Sequence, residues 1–291
     1  MARCLVTGHK GYIGSKLFAK FQSLGHKVIG IDLNEEISKD INKTLAEDTD
    51  GKFHPYFSNF QPEYVFHMAC LPRVGYSVEH PVETTKNNVL AGTNILNFAR
   101  KVGSVKRVIY SSSSSVVGNG NGPASPYALQ KFATELETTM YSQLYGLDTV
   151  SLRYFNVYSY DQSADGPYAT AVANWMKSIR EGVNPFITGD GEQRRDMVNV
   201  EDVVSANIFC MNYEEKLSGS VFDVGTGANI SLNEMSQIVK EHLPNVTFDY
   251  VEPRMGDVMS TKANVSGLAE LGWRAGIKIN EGISDCFRRL K

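Results

Sequence analysis

A chain of 291 residues, 42% hydrophobic and 21% charged, is long enough for one large domain or two modest ones with a full core. Acids and bases are interspersed and net charge is only −3, which points away from nucleic acid or a membrane surface as partner. The four cysteines (Cys4, Cys70, Cys210, Cys286) lack metal-ligand spacing, so reduced thiols and no metal are expected. No stretch approaches the roughly 20 apolar residues of a membrane helix, and no signal pattern precedes the first strand. The expectation is a cytoplasmic protein.

The short apolar run 4–6 reads as a buried parallel strand. Glycines follow at 8, 11 and 14, then Ile13, Leu17, Phe18, Phe21 and Leu24 mark one face of a helix that Gly25 closes. Glycines at a strand-to-helix turn let the backbone approach a pyrophosphate, which sits on the helix N-terminus. A second strand over 27–31 ends at Asp32, 18 residues beyond Gly14. A carboxylate there accepts from the ribose 2′-OH of NAD and repels the extra phosphate of NADP, so NAD is the expected cofactor.

Further strands are expected at 64–69, 107–112 and near 148–154, with helices near 86–101 and 126–145. That alternation predicts an α/β fold with a Rossmann-type, doubly wound parallel sheet. In the helix at 126–145, Tyr127 and Lys131 stand at i and i+4 and so share a face. A nearby cation favours the phenolate; bringing a tyrosine from about 10 to near neutral takes roughly 4 kcal/mol. An ammonium in a partly desolvated cleft, helped by a cationic cofactor, could supply it, which makes Tyr127 a candidate general base. Alone the pair is a common helix-surface pattern. The serine run at 111–115 and the glycine turn give it meaning. An apolar stripe on the same helix (Leu129, Phe132, Ala133, Leu136, Met140, Leu144) is expected to face the sheet or a partner subunit. After Asn156 the texture changes to loops, a helix around 168–181 and shorter strands, the expected substrate-binding part.

The spacing Gly8-x-x-Gly11-x-x-Gly14, the pair Tyr127-x-x-x-Lys131 and the upstream serines together resemble the extended short-chain dehydrogenase/reductase family. The resemblance is to its nucleotide-sugar epimerase/dehydratase branch, most of all to UDP-sugar 4-epimerases. It runs almost end to end through His67-Met68-Ala69-Cys70, the stretch 153–158, the stretch 189–196 and the stretch 253–258. It implies an NAD-binding Rossmann domain over 1–156, to which 197–226 returns, and a smaller interleaved substrate-binding domain over 157–291. It also implies a homodimer built on the helix at 126–145 and the one before it.

By the same resemblance, NAD would be held at the turn by Gly8, Gly11, Tyr12, Ile13 and Gly14, and at its adenosine end by Asp32, Leu33, Asp40 and Ile41. Met68, Ala69, Cys70, Asn88 and Ser111 would line its path, with Tyr127, Lys131, Tyr154, Asn156 and Val157 near the nicotinamide end. Ser113 would bridge the sugar O4 and Tyr127, with Ser114 beside it. Asn156, Arg195 and Arg254 would bind the diphosphate, Asp257 a nucleotide hydroxyl, Phe186 and Trp175 the uracil pocket, and Arg73 a sugar substituent.

Family 4,6-dehydratases follow the catalytic serine position with Asp-Glu, and UDP-glucuronate decarboxylases need a Glu at the second place. Here Ser114 and Ser115 stand there, and neither hydroxyl is a competent acid or base for those eliminations. What remains is epimerisation at C4 of a UDP-sugar of the glucose, N-acetylglucosamine or glucuronate type, through a transient 4-keto sugar. Only eight residues separate Gly118 from Tyr127, fewer than in relatives, which implies a more open sugar pocket. The alternatives are a nucleotide-sugar reductase, dehydrogenase or dehydratase of the same family, or a non-catalytic NAD(H) sensor, which would usually have lost Tyr127 or Lys131.

Overall fold

In a computed structural model the described residues are 1–33, 52–72, 74–118, 120–165, 169–253 and 258–290. The chain forms two compact units: Met1–Arg153 with Asn207–Phe222, and Tyr154–Ala206 with Asp223–Lys291.

The first unit starts with β1 (Arg3–Thr7), α1 (Tyr12–Ser23) and β2 (Lys27–Ile31). Helix α1 ends in a Schellman motif. Gly25 takes φ +78°, its N–H donates to Gln22 O at 3.0 Å, and His26 N–H donates to Phe21 O at 3.0 Å. Then come α2 (Pro55–Phe60), β3 (Tyr64–His67), α3 (Val74–Glu79) and α4 (Pro81–Thr85). A π-helical turn (Lys86–Leu90) leads into α5 (Ala91–Val102). β4 (Arg107–Ser113) passes through a 3₁₀ turn (Ser114–Val116) to α6 (Pro126–Tyr145) and β5 (Thr149–Tyr154).

Beyond β5 lie α7 (Ala171–Arg180), β6 (Phe186–Thr188), β7 (Arg194–Arg195), α8 (Val200–Asn212) and β8 (Ser220–Val224). The chain closes with β9 (Ile230–Ser231), α9 (Leu232–His242), β10 (Asp249–Val251), α10 (Ser266–Leu271) and α11 (Ile279–Arg288). Six strands form one sheet in the order β2-β1-β3-β4-β5-β8, and the pairs from β2 to β4 run parallel. Thr7 stands opposite His67, and His67 opposite Tyr110, so the loops after β1, β3 and β4 leave the sheet at one level. Strand order reverses between β1 and β3, the switch point at which open α/β sheets place ligands.

The return segment is tied to the first unit by a buried ion pair. Arg107 Nε donates to Asp148 Oδ2 at 2.6 Å, and its guanidinium also reaches the carbonyls of Cys210 and Tyr213. The other oxygen of Asp148 accepts from Leu217 N and Ser218 N, each at 2.9 Å. Both charges are thereby satisfied where bare burial would cost several kcal/mol per ion.

Helix α6 is inverted. Its buried residues include Gln130, Lys131, Thr134, Glu135 and Thr138, while Leu129, Leu136, Met140 and Leu144 are exposed. The apolar stripe therefore does not pack on the sheet, one of the two places expected for it. The inward positions are taken by side chains with hydrogen-bonding work. Thr138 Oγ1 meets Ser151 Oγ at 2.7 Å, and Thr134 Cγ2 fills the space that a side chain at Gly92 on α5 would need.

The second unit has its own core around Tyr158, Trp175, Met176, Ile187, Ile283 and Phe287. Small sheets β6–β10 (parallel) and β7–β9 (antiparallel) line one part of it. No helix among the described residues is long and apolar enough to cross a membrane.

Candidate active site

The glycine turn is built by close approach. Gly8 takes φ +69°, and a Cβ there would lie 2.9 Å from the Ala69 backbone, so the loops after β1 and β3 meet at the switch point. A Cβ on Gly14 would lie 2.1 Å from Gly8 O, so a side chain there would break the turn. The N-cap residue Gly11 brings no side chain to the first turn of α1, which leaves that helix end shaped for an anion. Asp32 accepts from Lys10 N–H at 3.0 Å beside this turn. A cradle that any Cβ would fill, a helix N-terminus and an adjacent acid fit a dinucleotide.

His67 lies beneath the site. Its Nδ1 is 2.8 Å from Thr7 Oγ1, which also accepts from Ala69 N at 3.1 Å and so ties the two loops. Burial first, and the charge of Lys131 second, push the imidazole down to about 3, so it is neutral at ordinary pH. Asn88, in the π turn, grips Leu71 from both sides of its amide: Oδ1 accepts Leu71 N at 2.7 Å and Nδ2 donates to Leu71 O at 3.2 Å. Nδ2 also donates to Gln130 Oε1 at 2.8 Å, linking the loop after β3 to α6.

Ser125 caps α6 by accepting from Ala128 N at 3.2 Å, and Pro126 follows at the first helical position. Tyr127 is half-buried and its N–H donates to Ser77 Oγ at 3.0 Å. One turn on, Lys131 is 2% exposed. Its ammonium donates to Ser111 O at 2.6 Å and lies 5.0 Å from the Tyr110 ring centroid. Burial raises the Tyr110 phenol well above its usual range, so that ring stays neutral. Ser112 Oγ donates to Glu135 Oε2 at 2.8 Å, and Glu135 takes a two-pronged pair from Arg153 at 2.9 and 2.5 Å. The serine strand is thus fastened to α6 at two successive turns, at Lys131 and at Glu135. Ser113 Oγ accepts from Ser115 N–H and Ser115 Oγ–H.

In the second unit a pocket of about 210 Å³ is lined by Asn156, Trp175, Phe186 and Arg195, all four expected from the sequence, and by Thr170, Asn174, Gln193 and Met235 among others. Trp175 is buried and donates from Nε1 to Phe186 O at 2.8 Å, which fixes Phe186, 37% exposed, at the wall. Asn156 takes φ +38°, a left-handed conformation that asparagine tolerates, and donates to Asp196 O at 2.6 Å. The Asp196 carboxylate is fully buried and accepts from Thr226 N and Oγ1, Gly227 N and Ala263 N, anchoring the strand that carries Arg195.

The family model described as "NAD dependent epimerase/dehydratase family" matches residues 4–225. This chain belongs to that family. A putative UDP-glucose 4-epimerase of Methanocaldococcus jannaschii is 33% identical to it, over 99% of this chain and 98% of the relative. The UDP-glucose 4-epimerase of Thermotoga maritima, solved with UDP-glucose, matches with a TM-score of 0.87 at 31% identity, covering 99% of both chains. The UDP-glucose 4-epimerase of Thermus thermophilus, solved with NAD, matches with a TM-score of 0.83 at 29% identity, over 98% of this chain and 99% of that one. The cofactor on which the family depends is the one the glycine turn and Asp32 anticipate.

Of the positions expected to serve in this family, Asp40, Ile41, Arg73, Arg254 and Asp257 lie outside the described residues. Gly8, Gly11, Tyr12, Ile13 and Gly14 form the turn; Asp32 and Leu33 follow β2; Met68, Ala69 and Cys70 follow β3; Ser111, Ser113 and Ser114 follow one another along β4 and its turn. Tyr154 ends β5, and Val157 follows Asn156 in the second unit. Sequence reasoning missed the Glu135–Arg153 pair, although Glu135 lies one turn beyond Lys131 and Arg153 opens a family landmark. It also missed Thr170 and Asn174, for which no local pattern exists, and Gln193, which lies inside the landmark stretch 189–196.

Proposed function

We propose that the protein epimerises a UDP-sugar at C4, with Tyr127 as the base and bound NAD as the transient hydride store. The observation that carries the reading is the buried Lys131 ammonium, one helical turn from Tyr127 and bonded to a serine strand that has no carboxylate at Ser114 or Ser115. A desolvated cation beside a phenol favours the phenolate, the form able to accept a proton. The chain thus offers a base without the acid that dehydration or decarboxylation requires.

Gly8, Gly11, Gly14 and Asp32 would hold NAD, which when bound accepts a hydride from C4 and returns it. Tyr127 takes the O4 proton as the C4–H bond breaks, and gives it back once the keto sugar has presented its other face. Ser113 hydrogen-bonds the same oxygen. The pocket of the second unit is assigned to the nucleotide: Phe186 offers a ring face to uracil, and Asn156 and Arg195 engage the diphosphate. Those roles, and the corresponding ones of Arg73, Arg254 and Asp257, rest on the family resemblance.

The exposed stripe Leu129, Leu136, Met140 and Leu144, spaced by seven, four and four residues on one helical face, fits a second copy of this chain, giving a homodimer. All four cysteines are free thiols, which suits a reducing compartment such as the cytoplasm.

The test is incubation of the purified protein with UDP-glucose, UDP-N-acetylglucosamine and UDP-glucuronate without added NAD, followed by NMR of the products. A C4 epimer from at least one sugar is expected. No epimer from any, or a stoichiometric absorbance change at ~340 nm marking exchange of reduced cofactor, would replace this reading with a reductase or dehydrogenase.

A further inference from the structure

Ser115 occupies the place where an elimination enzyme of this family would carry a glutamate, and its side chain is turned back on Ser113. Ser113 caps the 3₁₀ turn from an extended backbone (φ −144°, ψ 146°), and its Oγ accepts from Ser115 N at 3.2 Å and from Ser115 Oγ at 3.0 Å. Ser115 is itself held by that turn: Gly118 N donates to Ser115 O at 3.2 Å, and the neighbouring Val116 side chain is buried. A serine hydroxyl has one proton and two lone pairs. With both lone pairs engaged by Ser115, the only function left to Ser113 is its own proton.

We infer that Ser115 is a positioning residue that makes Ser113 a hydrogen-bond donor only, aimed at the reacting oxygens and unable to relay a proton between them. A relay would need Ser113 to receive the O4 proton on a lone pair while passing its own to Tyr127. The engaged lone pairs forbid that, so the O4–H bond breaks as the Tyr127 O–H bond forms directly. NAD, when bound, would accept the C4–H electron pair as hydride, and the O4–H pair becomes the second bond of the carbonyl. Ser113 donates throughout, first to the phenolate and then to the new carbonyl oxygen. The inference rests on the epimerase reading for the substrate oxygen and for the placing of Ser113 beside Tyr127, while the bonds from Ser115 to Ser113 do not depend on that reading.

Two measurements on the NAD-saturated protein separate the serine clamp from the overall reaction. The first is the ultraviolet phenolate titration of Tyr127, isolated by subtracting the Tyr127→Phe variant. Ser115→Ala keeps the backbone N–H bond to Ser113 but removes the hydroxyl donor, which releases one lone pair of Ser113 and should raise the Tyr127 midpoint by roughly 0.4 to 1 pH unit, the equivalent of one neutral hydrogen bond. The second is turnover. Ser115→Ala should lower kcat about 3- to 10-fold with KM unchanged, Ser115→Thr should restore both values, and Ser115→Ala should add nothing in a Ser113→Ala background. An unchanged Tyr127 midpoint in Ser115→Ala, or an effect that persists without Ser113, overturns the inference. If the wild type yields no epimer the epimerase reading fails, while the titration still decides the serine pair.

Discussion

Helices α6 and α7 bury opposite kinds of surface. In α7 the buried side chains are Val172, Ala173, Trp175 and Met176, with Lys177 and Arg180 near its end off that face. It is held as most globular helices are, by apolar burial. In α6 the buried set is led by Gln130, Lys131, Thr134, Glu135 and Thr138, and the leucines lie outside. Hydrogen bonds hold that helix, each worth little net but costly to leave unmade. The difference teaches where chemistry is carried. A lysine one turn from Tyr127 stays desolvated because the serine strand supplies its bonding, and the displaced apolar residues are left for another surface.

Breaking the polar inner face should have the largest effect. Glu135→Ala strands the Arg153 guanidinium and should cost about 3 kcal/mol in urea unfolding, the lower end for a broken buried pair, since Arg153 keeps 24% exposure. A loss of only a few tenths of a kcal/mol would show that α6 is held by something else. The next effect is a pH dependence. His67 has a folded-state pKa of about 3 against 6.5 in a model peptide, so the unfolded chain binds the extra proton. Its contribution is fully present above pH 6.5 and is lost progressively as pH falls from there toward 3. The expected slope is about 1.4 kcal/mol per pH unit, and His67→Gln should flatten that part of the stability profile. A variant with the same slope as the wild type would contradict a neutral buried imidazole.

On α7, Trp175→Phe keeps the apolar burial but leaves Phe186 O without its donor. It should cost about 1 kcal/mol and weaken binding of UDP measured by calorimetry; unchanged UDP affinity would remove Phe186 from the nucleotide site. The smallest effect on the folded chain should come from the outer stripe. Leu136→Glu with Leu144→Glu should alter unfolding free energy by no more than about 0.5 kcal/mol each, yet halve the mass seen by sedimentation. A wild type that already sediments as a monomer would leave the stripe without a partner of its own kind.

Much of this was legible in the residues. The glycine turn, Asp32 and the alternating elements predict a parallel sheet with a dinucleotide turn after its first strand, because each needs only local spacing and a known backbone requirement. Tyr127 and Lys131 were legible for the same reason. The inversion of α6 was only half legible: the apolar stripe is plain in the sequence, but periodicity measures a face and says nothing of which way it points. Asn88 illustrates a different limit. Its position was expected near the cofactor, while its double grip on Leu71 depends on a π turn that no residue pattern announces. The pocket residues Thr170 and Asn174, on α7 and its cap, meet Gln193, in the loop before β7, only through tertiary folding.

The central claim is that hydride leaves C4 and returns to C4 within one bound complex. Deuterium at C4 of the UDP-sugar that the protein turns over, followed by NMR or mass spectrometry of the product in ordinary water, tests it directly. Full retention of deuterium at C4 of the epimer is predicted, with none in the solvent or in free reduced cofactor. Loss of the label from C4 would contradict the account.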